Sequence, residues 1–94
     1  MTSDKITKQK TEKYLALTGR ALAIAKKHIV KSKVKDAIEI IKMAECYFSD
    51  AEFFKEKGDF VNSFAAVNYA HGWLDCGARL GIFNVKDNKL FTIK

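Results

Sequence analysis

The sequence predicts an all-α fold, an antiparallel three-helix bundle closed by a short C-terminal extended tail or β-hairpin. Apolar residues recur at helical spacing through three successive segments. Lys57-Gly58-Asp59 supplies a last-turn cation, a C-terminal glycine and an N-capping aspartate in succession. Proline is absent from all 94 residues, so no helix is interrupted by a missing donor. The length suits one domain over residues 1–94, large enough to bury a modest core without staples.

The first helix is expected over about residues 4–29. Tyr14, Leu17, Ala21, Leu22, Ala25, His28 and Ile29 form its stripe, and Ser3 or Asp4 is in place to cap its start. Lys26 and Lys27 sit near its end, where the helix dipole favours cations. The second helix is expected over about residues 33–57. Its stripe is Ala37, Ile41, Ala44, Phe48, Ala51 and Phe54, flanked by Val34, Ile38, Ile40 and Tyr47. No glycine or proline separates the two. The break rests on phase: the first stripe, carried forward, lands on Ser32, Lys33 and Asp36, whereas apolar positions restart at Val34 and Ala37. The turn is therefore expected at residues 30–32, with Ser32 as a capping candidate.

The third helix, about residues 60–80, is apolar over more than half its circumference. Phe60, Phe64, Val67, His71, Leu74 and Ala78 share one face, and Ala66, Ala70, Trp73 and Leu80 the next. So wide an apolar surface must touch two neighbours, which makes this helix the hub. The tail, residues 82–94, changes period. Two β-prone runs flank Lys86-Asp87-Asn88-Lys89, and Phe83, Leu90 or Phe91 is expected to lie on the bundle.

Composition narrows the function classes. At 48% hydrophobic and 30% charged, the chain is of ordinary globular composition. No run approaches the about 20 apolar residues of a membrane span, and the opening residues MTSDKITKQK hold no signal-peptide core, so a cytoplasmic setting is expected. The two cysteines, Cys46 and Cys76, are read as buried small hydrophobes, with no further ligand at metal-site spacing and so no metal or cofactor expected. The net charge of +6 is uneven. Residues 1–35 hold ten Lys/Arg against two Asp/Glu, and residues 36–94 hold seven against nine.

Four features could carry function. On the third helix Asn68, His71, Asp75 and Arg79 follow at three- and four-residue steps, a polar line with His71 inside the apolar face. An imidazole beside a carboxylate can act as a base or a ligand. The simpler reading is a buried histidine satisfied by Asp75 and by a hydroxyl from Thr18 or Tyr47, a polar layer that fixes helix register. No nucleophile stands beside a base and no phosphate loop is present, so no catalytic residue is assigned. Gly72 and Gly77 interrupt the same helix at about 1 kcal/mol each relative to alanine, which suggests close approach by another backbone or by a ligand. Tyr69, Trp73 and Leu80 flank the apolar face, either covered by the tail or serving as a protein or self-association contact. Finally Lys13, Arg20 and Lys27 recur every seven residues on the first helix, and Lys31, Lys33 and Lys35 prolong the ridge. Such a ridge could meet phosphates, but no aromatic residue interleaves to stack a base, and a solvated face is the simpler reading.

The segment YFSDAEFFKEKGDFVNSFAAVNYAHGWLDCGARLGIF, residues 47–83, resembles a family of small archaeal helical proteins, domain of unknown function 357. The resemblance lies in YF-x-DA-x-x-F, the EKGD turn, and above all YAHGWLD followed by RLG. It implies a compact helical bundle in an archaeal cytoplasm, and no reaction. The signature positions are Tyr69, His71, Gly72, Trp73, Asp75 and Arg79. A looser likeness is to the helical hairpins of the HEPN group, some of which are RNases with a closely spaced arginine and histidine. Here seven residues separate Arg20 from His28 and no histidine follows Arg79, which argues against that chemistry. The expectation is a non-enzymatic binding, interaction or scaffold module, with Trp73 and its neighbours as a candidate self-association surface. The alternative is a nucleic-acid-binding or RNA-processing accessory protein that uses the basic ridge.

Overall fold

The computed structural model describes residues 6–92. Three α-helices pack against one another as the sequence predicts: α1 over Lys8–Lys27, α2 over Val34–Glu56 and α3 over Phe60–Arg79. α1 starts later than expected, because Thr7 caps it: its hydroxyl accepts from the Lys10 amide at 3.0 Å. Ser3 and Asp4 lie outside the described residues. A single 3₁₀ turn, Lys31–Lys33, leads into α2, and Lys33 stands at the cap position with no side-chain bond, so Ser32 does not cap.

The α1–α2 break has a tertiary cause. After Lys27 the chain turns extended and pairs with the segment that follows α3. Ile29 bridges Phe83, the Val30 amide donates to the Ile82 carbonyl at 3.0 Å, and the Asn84 amide donates to the His28 carbonyl at 2.7 Å. Backbone groups that α1 would otherwise have kept in its own ladder are satisfied across the molecule. The other two helix ends are local. Gly58 and Gly81 take positive φ, +77° and +73°. At each, the amide after the glycine reaches back to the helix, Asp59 to the Phe54 carbonyl at 2.9 Å and Ile82 to the Gly77 carbonyl at 2.8 Å. That is the Schellman ending, which only a residue without Cβ makes freely. Asp59 then caps α3, accepting from the Asn62 amide.

α3 packs on both other helices, as a hub should. The core is contiguous around Ala21, Ala25, Ala37, Ile40, Ala44, Leu74 and Ala78, with a second cluster around Leu15, Ala51, Ala66 and Val67. The buried side of α1 is rotated from the expected stripe: Thr11, Leu15, Thr18, Ala21 and Ala25 are buried, Tyr14 and Leu17 only half-buried, and His28 exposed. Both threonines can be inside because their hydroxyls are bonded, Thr11 to the Thr7 carbonyl at 3.0 Å and Thr18 to His71. On α2, Ala37, Ile40, Ala44 and Ala51 are buried, whereas Ile41, Tyr47, Phe48 and Phe54 are half-buried and Val34 and Ile38 exposed. Ser63, also fully buried, donates to the Ala51 carbonyl at 2.6 Å and ties α3 to α2.

The tail makes no hairpin among the described residues. It runs extended and is nailed to the bundle twice, by Ile82 with Phe83 and by Leu90 with Phe91, all four buried. Each buried aromatic or branched side chain of this size contributes roughly 1.5–3 kcal/mol. Between them Asp87 shapes a turn: its carboxylate accepts from the amides of Lys89 and Leu90, and its carbonyl from the Phe91 amide at 3.0 Å. An aspartate that binds its own downstream backbone curls the chain into one helical turn instead of a two-residue hairpin loop.

Candidate functional site

His71 lies where α3, α1 and the tail meet. Its Nδ1 is 2.9 Å from the Thr18 hydroxyl and its Nε2 is 2.6 Å from the Leu90 carbonyl oxygen. A carbonyl only accepts, so Nε2 carries the proton and Nδ1 accepts from Thr18. The hydroxyl partner is one the sequence points to. The other partner is not Asp75, whose carboxylate stands 3.8 Å from Nε2, beyond hydrogen-bond reach. Asp75 instead accepts from the Thr92 amide at 2.8 Å and from the Thr92 hydroxyl at 3.2 Å. Two neighbouring side chains of α3 thus each hold one point of the tail. The tail displaces Asp75 from His71 because a returning backbone brings both a carbonyl and an amide, and one turn of helix offers a donor and an acceptor to match.

A groove of about 310 Å³ opens beside this layer, lined by Tyr14, Leu17, Asn68, His71, Gly72, Asp75 and Lys89. It exposes an edge of the imidazole but no free nitrogen, since both are committed. A general base needs an unoccupied lone pair on the substrate's side. The four members of the polar line therefore do not act together: His71 and Asp75 anchor the tail, Asn68 is exposed at the groove rim, and Arg79 is exposed a turn further on. Among the described residues no group of three or more His, Cys, Asp and Glu side chains is disposed to hold a metal ion.

The two interior glycines of α3 have different surroundings. A Cβ on Gly77 would stand 2.3 Å from Cε2 of the Phe83 ring, so close packing accounts for that glycine, with a tail side chain as the neighbour. A Cβ on Gly72 would meet nothing within 4 Å, so internal packing does not explain it. Gly72 instead opens onto a second, shallow groove of about 630 Å³ whose walls all come from α3: Ala65, Asn68, Tyr69, Gly72, Trp73 and Cys76. The described residues of the tail do not cover this side. Tyr69 and Leu80 are 64% and 65% exposed, while Trp73 is half-buried against the core. The ring of Tyr69 stacks on Tyr47 of α2, centroids 5.0 Å apart. Cys46 and Cys76, expected inside, are both exposed free thiols. Each falls on the outward side of its helix, which a spacing argument centred on the larger apolar residues does not register.

Residue reading missed Val61, Ala65 and Cys76 as part of one outward face. The signal was available: no Lys, Arg, Asp or Glu occurs from Phe60 to Leu74, in a chain that is 30% charged. The basic ridge is where the sequence puts it. Lys13, Arg20, Lys27, Lys31, Lys33 and Lys35 are all exposed, and among the described residues none makes an ion pair; the nearby Lys26 binds Glu45 at 2.7 Å. No helix among the described residues is long and apolar enough to cross a membrane.

Two helices packed on a hub helix whose histidine is committed to holding the tail define a small all-α bundle with a buried polar layer and an open apolar face. The chain belongs to the family described as protein of unknown function, DUF357, whose model matches residues 13–83. That match takes in His71, Asp75 and the Phe83–Gly77 contact and stops short of Leu90 and Thr92. No curated protein and no solved structure matches the chain.

Proposed function

We propose that this chain works as a binding module whose working surface is the outer face of α3. One observation carries the reading: α3, which holds no charged residue from Phe60 to Leu74, leaves Val61, Tyr69 and, at its C-cap, Leu80 about two-thirds exposed along one side. Elsewhere the protein surrounds its exposed apolar residues with charge, as at Val34 and Ile38, where Lys35, Asp36 and Glu39 intervene. A continuous apolar face without a charged residue across its middle marks a surface that a partner covers. The commitment of both His71 nitrogens supports binding over catalysis. A photo-reactive amino acid placed at Val61 should give a covalent protein adduct in cells, with the same probe at the exposed Glu52 on α2 as control. Equal yields at the two positions would remove the reading.

The basic ridge supports a second reading, a nucleic-acid accessory role. Its exposed cations lie along about 20 Å of α1, and phosphate contacts made there would weaken steeply with salt. Changing Lys13, Arg20 and Lys27 together to glutamate should abolish any binding of single- or double-stranded RNA seen at low salt. Unchanged binding would show the ridge to be a solvated face.

A further inference from the structure

We infer that the partner on the outer face of α3 is a second copy of this chain, docked with the two α3 helices antiparallel about a twofold axis. The inference rests on the proposal that this face binds, and adds its occupant and register. Three observations select a second copy.

The first is charge. The protein carries a net +6, so two copies repel unless they meet on a face that adds no charge of one sign. In a twofold contact the same patch meets itself, and any charge in it is doubled. α3 is neutral from Phe60 to Leu74, and the exposed basic ridge lies on α1, the 3₁₀ turn and the start of α2.

The second is the pattern of large and small residues. When α3 is laid antiparallel on its own copy, centred between Ala70 and His71, Val61 comes level with Leu80, Ala65 with Cys76, and Tyr69 with Gly72. Every large exposed side chain of the face then meets an apolar neighbour or a gap. Arg79, the one cation at its edge, comes level with the neutral Asn62. A helix chosen to suit an unrelated partner has no reason to be complementary to its own reversed image.

The third is Gly72. It weakens an exposed helix by about 1 kcal/mol, yet a side chain there would meet nothing within 4 Å. The free chain has no use for the notch. In the antiparallel pair it receives the Tyr69 ring of the other copy, two levels of the same contact being made at once by symmetry.

Cysteine cross-linking tests both occupant and register. In a Cys46→Ser background the only thiol is Cys76. Two copies of Cys76 in the antiparallel pair are about 16 Å apart along the axis, far beyond the Cα separation of about 4.4–6.8 Å that a disulfide spans. Adding Ala65→Cys brings a thiol level with the partner's Cys76. Diamide should then yield a disulfide-linked species at twice the 10.6 kDa chain mass. Cys76 alone, or Ala65→Cys with Cys76→Ser, should stay single. The parent chain should sediment as a dimer, and Val61→Glu, at a side chain 64% exposed, should raise the dissociation constant at least tenfold. Cross-linking through Cys76 alone would overturn the antiparallel register. A parent chain that sediments as a monomer at millimolar concentration would overturn self-pairing altogether. If the probe at Val61 still forms adducts with another protein in that case, the face binds and only its occupant was wrong; if it forms none, both readings fall together.

Discussion

Gly72 and Gly77 lie five residues apart in one helix, and the structure assigns their alanine substitutions opposite signs. Helix propensity alone favours both by up to about 1 kcal/mol. At Gly72 nothing stands within 4 Å of the new methyl, so the gain is kept. At Gly77 the methyl would fall 2.3 Å from Cε2 and 2.8 Å from Cδ2 of Phe83. That ring is 2% exposed, and its own backbone is pinned: the Ile82 amide bonds the Gly77 carbonyl and the Asn84 amide bonds the His28 carbonyl. With the backbone held on both sides, the ring can move only by leaving its rotamer and its buried contacts. Overpacking of this kind costs about 1–3 kcal/mol. Because the propensity gain is common to both variants, the difference between them isolates the clash. For a chain of this size it corresponds to a Tm separation on the order of 10 °C. Thermal and urea unfolding should be followed at the lowest concentration the signal allows, so that folding of the single chain is read. Gly72→Ala should rise above the parent and Gly77→Ala fall to it or below. Phe83→Leu should lower the parent yet be partly compensated by Gly77→Ala, a coupling of about 1 kcal/mol or more in the double-mutant cycle. Equal stabilisation by both alanines would refute the packing of Phe83 on Gly77.

Other predictions follow from the polar layer and its neighbours. Thr18→Val should cost about 1–3 kcal/mol, because His71 Nδ1 loses its donor inside the bundle; Thr18→Ser should restore most of it, and chemical denaturation reads both. His71→Leu strands the Thr18 hydroxyl and the Leu90 carbonyl together, so a loss of about 2 kcal/mol or more is expected; a variant as stable as the parent would mean that the histidine is not there for structure. Asp75→Ala should leave the helices intact but speed exchange of the Thr92 amide severalfold by NMR, since that amide donates to the carboxylate at 2.8 Å. Ser63→Ala should cost about 1 kcal/mol, the worth of one buried bond to the Ala51 carbonyl.

The sequence by itself determined the three helices, their two glycine endings and the hub role of α3. Each of these follows from local chemistry: a 3.6-residue period, a glycine free to take positive φ, an aspartate able to cap. Periodicity could even bring Thr18 level with His71, because helix rise is constant and the turns fix where counting begins. Tertiary structure decided what counting cannot reach. The α1–α2 break exists because residues 28–30 find partners at residues 82–84. Asp75 gives up His71 because a returning tail supplies both a carbonyl and an amide. Two glycines that look alike on a helical wheel differ because an aromatic ring from outside the helix rests on one and nothing rests on the other. Apolar spacing says that a face is hydrophobic; only the packed chain says whether its own residues cover it. On α3 they cover the side with Val67, Ala70 and Leu74 and leave Val61, Tyr69 and Leu80 open, because the two other helices and the described part of the tail pack on that one side of it.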